Sequence, residues 1–511
     1  MKRLIKFLPK LVMLCFACLL VLALVACGET GGSGDNPDDG GNPGGKEHQW
    51  TENELYWDAD KNGKPDWTEK EITLRYATWQ YTDPNTITID TLMVEAFMEK
   101  YPNIHVEMQI VGYDEIFENN LLQLLEASTE ENKLPDVFLI ERLEHLLPYN
   151  ILADITEYFN HDDDTEYIFE SVKDLGLYNG KRYCVPTFIY PEIWIVNKKL
   201  LADCNIAAPS YDWTWEQMEL IAKKVSESLV SDHAIGVYGT EQYYFELPKI
   251  LKTASNAEAG AKWLAYGYDG QQFNFDDLAY INAVAKMEAG MHAGWLVDSL
   301  APSTLSDYYG SDDDPRYAGH VAIWREPTWS FKNDAHNIQF DWDVYPGPNG
   351  ISGGNTDIAG VCQLCENKAA AYQLLKWMSF GQDGMVKRYE IYEEYGEELY
   401  ISANNYPYPV VDYGPNAQGD NLIWDHIPYT QTAAGFGAPE FPESLRKGAI
   451  KANKEVIGWD AAENAFKDYL YQVVMGQQNY ATLYETIQSA AMQSMDLKRQ
   501  AINDALGSQS N

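Results

Sequence analysis

The chain has 511 residues, of which 45% are apolar and 13% aromatic, and its formal net charge is −40 at pH 7. A globular chain of this length usually has more than one hydrophobic core, so we expect two domains or lobes. The acidic balance argues against nucleic acid and anionic lipid headgroups as partners, and it is compatible with neutral or cationic ligands.

The first 26 residues predict a secretory signal. Four basic residues within the first ten precede an apolar stretch over residues 11–26, which is short for a bilayer span of roughly 20 residues. Small residues directly before Cys27 resemble the lipobox of bacterial lipoproteins, in which the signal is removed and the cysteine thiol is lipidated. We therefore expect a lipid anchor on Cys27 and a location on the extracytoplasmic face of the cell membrane. The alternative is an ordinary signal or an N-terminal anchor with a chance cysteine.

Residues 27–49 predict a flexible tether. The segment is rich in Gly and Asp, and it is nearly free of large apolar residues. Such a composition cannot bury enough apolar area to fold. The folded part of the chain should therefore begin near Trp50.

A calcium-loop pattern occupies residues 58–69 within a predicted segment 50–70. Acidic and amide residues alternate, a glycine follows the third of them, and Pro65 replaces the usual apolar residue at the eighth position. Alternating oxygens of this kind can wrap a hard cation such as Ca²⁺. A solvated polar turn is the alternative, since Asp, Asn and Gly favour turns in any case. The predicted metal ligands are Asp58, Asp60, Asn62, Lys64, Asp66 and Glu69.

Beyond residue 70, predicted strands and helices alternate. Strands are predicted over residues 72–79, 104–108 and 135–140, with helices before Pro102 and over residues 117–125. This order predicts a parallel α/β sheet, whose ligands gather at the carboxyl ends of the strands. Further along, Thr214 begins a predicted helix with a capping box.

The remaining cysteines predict no chemistry. Cys362 and Cys365 form a C-x-x-C in an apolar, strand-like stretch, but no second pair with zinc-site spacing exists in the sequence. We expect these thiols, like Cys184 and Cys204, to be buried or incidental.

Several short blocks, in order, resemble the family 1 extracellular solute-binding proteins, the lipoprotein receptors of carbohydrate ABC importers. Val196 replaces a tyrosine of the family pattern, and residues 319–324 lack its lysine and methionine. The blocks are residues 97–106 (FMEKYPNIHV), 134–138 (LPDVF), 180–186 (GKRYCVP), 196–200 (VNKKL), 214–217 (TWEQ) and 341–348 (DWDVYPGP).

The resemblance implies an α/β, two-lobed periplasmic-binding-protein-like fold of type II, with hinged lobes and a ligand cleft between them. It implies a monomer that passes its ligand to the permease subunits of an ABC transporter. The chain should cross between lobes near residues 186–195, 353–361 and 402–412. The expected boundaries are 71–190 and 358–410 for lobe 1, 191–357 and 411–500 for lobe 2, and 501–511 for a C-terminal tail.

Sugar recognition needs aromatic faces for the apolar C–H side of the ring and polar groups for its hydroxyls. The resemblance places such residues after the first and third predicted strands and between the blocks at residues 180–186 and 196–200. It also places them after residue 324 and near residues 353–361, where the chain should return to lobe 1. For Trp194, Trp324 and Trp424 we favour core packing, and Glu141 and Arg142 could instead pair on the surface. The predicted ligand-binding set is Trp79, Gln80, Tyr81, Asp83, Glu141, Arg142, Tyr190, Glu192, Trp329, Asn355 and Asp357.

Two other functions stay open. A secreted glycosidase would also be acidic and aromatic, and it would use two carboxylates across a cleft. A receptor for a non-sugar polar solute would share the fold. Motifs of serine hydrolases, zincins and phosphate-binding loops do not occur in the sequence, so we expect a binding protein rather than an enzyme.

Overall fold

The computed structural model describes residues 50–112, 117–127, 134–228, 234–298, 313–395, 407–427, 432–451 and 454–508. The predicted signal, Cys27 and the tether lie outside these ranges. Residues 50–511 form one compact unit. Among the described helices, none is both long and apolar enough to cross a membrane.

The strands in the described ranges form a large mixed sheet and a small hairpin. The hairpin pairs β4 with β5, and the large sheet runs in the order β2-β1-β3-β11-β6-β9-β7-β8, with β10 and β12 beside β6 and β13 beside β11. The strands are β1 Ile72–Ala77, β2 Ile104–Met108, β3 Val137–Ile140, β4 Leu177–Tyr178, β5 Lys181–Arg182, β6 Cys184–Val196, β7 Ile235–Tyr238, β8 Leu296–Val297, β9 Val321–Pro327, β10 Asp343–Tyr345, β11 Gly353–Val361, β12 Tyr408–Pro409 and β13 Ala449–Lys451.

Helices follow most strands and cover the sheet. Within the described ranges they are α1 Ile89–Lys100, α2 Phe117–Ala127, α3 Leu143–Leu146, α4 Thr156–Asn160, α5 Glu170–Lys173, α6 Lys198–Asp203, α7 Trp215–Ser226, α8 Glu241–Phe245, α9 Leu247–Ser255, α10 Ala257–Lys262, α11 Leu278–Ala293, α12 Phe331–Asn337, α13 Lys368–Met378, α14 Gln382–Tyr395, α15 Glu440–Arg446, α16 Trp459–Val474 and α17 Tyr480–Ser508.

The predicted capping box of α7 is present. The Thr214 hydroxyl accepts from the Gln217 backbone N–H at 3.3 Å, and Oε1 of Gln217 accepts from the Thr214 N–H at 2.8 Å. These two bonds satisfy backbone donors that a helix start leaves free.

The long strand β6 contributes to two hydrophobic cores. Residues 184–191 of β6 pair antiparallel with β11, and residues 192–196 pair with β9. Adjacent β6 residues Ile193 and Trp194 belong to the first and second cores respectively. Strand β6 therefore spans both halves of the sheet, whereas β11 pairs with β3, β6 and β13.

The later part of the chain contributes to both hydrophobic cores. Phe441 and Leu445, predicted in lobe 2, pack in the first core, together with β12, which pairs with β6 at Phe188 and Ile189. Helix α16 then packs in the second core. Helix α17 extends through residues predicted as a tail, as far as Ser508.

Cysteine side chains lie mostly in the core. Cys184, Cys362 and Cys365 are buried free thiols, as predicted, and Cys204 is half-buried. Burial raises the pKa of Cys362 to about 11, so the thiol stays protonated at neutral pH.

Candidate functional site

Two predicted aromatic residues lie together where the crossing strands meet. Tyr190 is a buried residue of β6, and Trp329 lies in a 3₁₀ turn, Thr328–Ser330, directly after β9. Their ring centroids are 6.0 Å apart, with the planes at 62°. The indole of Trp329 is 38% exposed, so it offers an apolar face beside these strands.

Asp357 of β11 joins this pair to a half-buried lysine. Burial, and then the Asp357 carboxylate that bonds its hydroxyl, raise the pKa of Tyr190 well above its usual value. Asp357 also forms an ion pair with Lys454. Burial opposes the charge of Lys454, but Asp357 outweighs that effect and the pKa of Lys454 is raised. The Lys454 ammonium lies 5.4 Å from the Trp79 ring centroid, which brings a third predicted aromatic residue to the site.

A charge cluster, buried except for Glu241, adjoins these residues on the side of the second core. Arg325 of β9 lies 3.6 Å from the carboxylate of Glu192, 3.4 Å from Glu241 and 3.7 Å from Glu246. The side-chain amide of Asn355 donates to Glu192 at 3.5 Å. The predicted residues Glu192 and Asn355 are thus held by an arginine outside the predicted set.

Burial raises the pKa of these carboxylates, whereas the charge of Arg325 lowers it. Burial raises the pKa of Glu246 to about 8 and also raises that of Glu192, although Arg325 offsets part of each shift. For Glu241 burial is outweighed by Arg325 and Lys451, and the pKa is lowered. Perturbed carboxylates grouped in this way are typical of functional sites.

Gln80 lies on the other side, at a small polar cavity in the first half of the sheet. The cavity has a volume of about 20 Å³, room for one water molecule, and Tyr190 and Asp357 line it as well. Deeper in the cavity, Arg388 donates to Asp90 at 3.2 Å.

Four predicted residues lie at the edge of this arrangement. Asp83 is exposed, and it accepts from the backbone N–H of Asn85 at 2.9 Å within its own loop. Arg142 forms an ion pair with Asp460 in the first turn of α16. Glu141 and Tyr81 are half-buried, and the charge of Glu141 adds to the raised pKa of Lys454.

The predicted calcium loop has carboxylates close together. One oxygen from each of Asp58, Asp60 and Asp66 lies within 4.8 Å of the others. The Asp58 carboxylate accepts from the N–H groups of Gly63 at 2.7 Å and Asn62 at 3.1 Å. The Asn62 side chain donates to Glu69 at 2.8 Å. Bound calcium stays a prediction for this loop.

Several contributors were missed because they come from distant parts of the chain. Glu246, Lys451 and Lys454 belong to no block of the family pattern. Arg325 lies in a stretch that the resemblance does match to the cleft, although it is outside the predicted set, and it pairs with strand β6. Trp194 and Trp324 are fully buried, as expected of core residues.

Comparison with known families identifies the class of protein. The family model for bacterial extracellular solute-binding proteins matches residues 82–380, which is more than half of the chain. The chain therefore belongs to the bacterial extracellular solute-binding protein family, as its sequence blocks predicted.

Solved structures share the fold over nearly their whole length. An ABC substrate-binding protein from Listeria monocytogenes in complex with cycloalternan has a TM-score of 0.52 at 18% identity, covering 86% of this chain and 100% of that one. The cyclic alpha-maltosyl-1,6-maltose binding protein from Arthrobacter globiformis has a TM-score of 0.58 at 15% identity, covering 83% and 98%. The sugar-binding protein MalE from Xanthomonas citri has a TM-score of 0.57 at 16% identity, covering 84% and 99%. The α/β, two-lobed binding-protein fold predicted from the sequence is confirmed.

Proposed function

We propose that this protein captures a carbohydrate, most simply an oligosaccharide, between its two lobes and delivers it to the permease of an ABC importer. The observation that carries the proposal is the group formed by Trp329, Tyr190 and Asp357 at the crossing strands. In the same proposal, a lipid on Cys27 holds the protein at the extracytoplasmic face of the membrane.

The chemistry of this group suits a neutral polyol. A sugar ring stacks its C–H face on an aromatic side chain, and the Trp329 indole is accessible for that contact. Asp357 can accept from ligand hydroxyls, and Lys454 can donate to them. Because both already pair with each other, an uncharged ligand can add hydrogen bonds without leaving a buried charge unpaired.

The named ligands of similar structures support a carbohydrate. The Listeria protein was solved with cycloalternan, the Arthrobacter protein binds cyclic alpha-maltosyl-1,6-maltose, and the Xanthomonas protein is sugar-binding. Their low identity leaves the particular sugar of this chain to experiment.

The crossing strands supply a mechanism for capture. Strand β6 pairs with β11 in one half of the sheet and with β9 in the other, so a few of its residues can absorb a rotation of one lobe against the other. Contacts made by a ligand with both lobes exist only in the closed form, and they shift the population towards it.

The direct test is a thermal-shift panel of mono- and oligosaccharides on the purified protein. A ligand that binds the folded state raises Tm with the logarithm of its concentration over Kd. One sugar class should raise Tm, and Trp329→Ala should remove most of that shift. Tyr471→Ala is the matched control, because Tyr471 is an aromatic residue 56% exposed on α16, and it should keep the full shift.

The outcomes separate the alternatives. Sugar recovered intact after incubation supports a binding protein, whereas cleaved sugar supports a glycosidase. A panel with no shift for any sugar would contradict the proposal and favour a receptor for another polar solute.

The anchor is tested separately. Detergent phase partitioning of cells should place the parent protein in the detergent phase and Cys27→Ala in the aqueous phase or the medium. Cys204→Ala is the control, since Cys204 lies in the folded unit. Equal partitioning of parent and Cys27→Ala would contradict lipidation at this cysteine.

A further inference from the structure

Lys451, the last residue of β13, lies in register with two residues of the carbohydrate site. It pairs with Asn355 of β11, and Asn355 pairs in turn with Tyr190 of β6. Residues directly opposite each other on neighbouring strands point to the same face of a sheet, so the three side chains form one row. At the far end of the row the Tyr190 ring lies 6.0 Å from that of Trp329. The row therefore places Lys451, which was outside the predicted set, beside residues of that set.

The row is longer than one sugar ring. Adjacent strands lie about 4.8 Å apart, so the backbones at Lys451 and Tyr190, two strands apart, are separated by roughly 10 Å. A ring that stacks on Trp329 occupies the Tyr190 end of the row. A second ring linked to the first would lie towards Lys451.

The ammonium group of Lys451 has hydrogen-bond donors that a ligand can use. It lies 3.8 Å from the carboxylate of Glu241 and 3.7 Å from that of Glu463. Both distances exceed the roughly 2.7–3.2 Å of an N–H···O hydrogen bond, so the three N–H groups can turn towards a ligand. The Lys451 side chain is 22% exposed, which leaves it accessible from solvent.

Glu241 balances the charge of Lys451. Burial raises the pKa of Glu241, but Arg325 and Lys451 outweigh that effect and the pKa is lowered, so the carboxylate is ionised at neutral pH. A neutral sugar can therefore bond to the ammonium without leaving a charge unpaired. Lys454, which follows β13, stands beside Asp357 in the same way.

We propose that Lys451 is a further ligand-binding residue, which donates hydrogen bonds to the second ring of an oligosaccharide whose first ring stacks on Trp329. The proposal rests on the carbohydrate function proposed above, and it narrows the preferred ligand to sugars of at least two rings. Lys451 then determines the preference for length, because a single ring on Trp329 gains nothing from it.

The test compares a disaccharide with its own monosaccharide, beginning with maltose and glucose and using the pair whose disaccharide gives the largest rise in Tm. Isothermal titration measures Kd for the disaccharide, and competition against the disaccharide measures Kd for the monosaccharide. Lys451→Met should weaken disaccharide binding by about tenfold, as expected for loss of a hydrogen bond from a charged group. Monosaccharide binding should be unchanged.

Two further variants separate a role in binding from a role in structure. Lys451→Arg should restore most of the affinity that Lys451→Met loses, because arginine keeps N–H donors at this position. Lys447→Met is the matched control, since Lys447 pairs with Glu443 at 2.9 Å on the exposed surface, and it should bind the disaccharide like the parent. Without sugar, each variant should melt near the Tm of the parent, because partly exposed ion pairs contribute little stability.

The proposal is overturned if Lys451→Met binds the disaccharide as tightly as the parent. It is also overturned if Lys451→Met weakens both sugars equally, since an equal loss indicates that the lysine supports the site as a whole and not a second ring. In both cases the parent still binds sugar, so the carbohydrate function stands. If no sugar binds to the parent, the carbohydrate function fails and this role of Lys451 fails with it.

Discussion

Two regions of this protein gather carboxylates, and they do so in opposite ways. The loop at residues 58–69 is exposed and takes its acidic groups from one short stretch, where they bind their own backbone N–H groups. The Arg325 cluster is buried except for Glu241 at its exposed edge, and it takes its carboxylates from β6 and the helical segment 241–246, around one guanidinium. Water screens the charges of the loop, whereas the cluster depends on its arginine. We therefore expect added cations to stabilise the loop. We expect the loss of Arg325 to destabilise the cluster.

The largest effect is expected from removing Arg325. Arg325→Met leaves the carboxylates of Glu192, Glu241 and Glu246 without their shared cation, and breaking a buried ion pair costs about 3–5 kcal/mol. Urea unfolding followed by circular dichroism should show that loss in the free energy of unfolding. Lys199→Met is the control, since its ion pair with Asp203 is exposed and should cost less than about 1 kcal/mol. Equal losses in the two variants would contradict the role of Arg325.

A smaller effect is expected from calcium at the loop. If the loop binds Ca²⁺, a concentration one hundred times Kd stabilises the fold by about 2.7 kcal/mol. The shift in Tm should disappear in Asp58→Asn. It should persist in Asp83→Asn, because Asp83 is also an exposed loop aspartate that accepts from nearby backbone N–H groups. A shift that survives in Asp58→Asn would place the calcium elsewhere.

The smallest effect, counted for each pH unit, is a pH dependence that belongs to the cluster. Glu246 has its pKa raised to about 8 in the folded protein, well above the value of roughly 4.3 for an exposed glutamate. The folded state therefore holds a proton that the unfolded state has lost. Stability should fall as pH rises from about 5 to 8, by up to about 1.4 kcal/mol per pH unit for one group.

Glu246→Gln sharpens that measurement. The variant cannot ionise, so its unfolding free energy should vary less between pH 5 and 8 than that of the parent. Glu455 and Asp334, whose pKa values are also raised, should contribute to the dependence that remains, and Lys249, whose pKa is lowered to about 7, should oppose it. A variant with the full slope of the parent would show that Glu246 is not the group that titrates.

The contrast between the loop, whose residues are neighbours in the chain, and the Arg325 cluster, whose residues are distant, also explains what could be predicted from the sequence. The loop at residues 58–69 could be predicted because its residues are neighbours in the chain. Strands β6 and β11 could be predicted because blocks of the family pattern flank them. Thr214 and Gln217 predicted their helix start because capping is local. The fold class followed from such local patterns in their order.

The site was only partly predictable, because its partners come from distant segments. Tyr190, Trp329 and Asp357 were predicted from their positions beside family blocks, and the structure brings them together. Lys454 was missed because it follows β13 in a stretch that carries no motif, and its pairing with Asp357 spans 97 residues. Sequence spacing carries no information on such a contact until the fold is known.

The most direct test of the central claim is a crystal structure with the carbohydrate that gives the largest rise in Tm. We predict an intact sugar between the lobes, with one ring stacked on Trp329 and hydroxyls bonded to Asp357 and Lys454. A sugar bound elsewhere, or density for a cleaved product, would contradict the account.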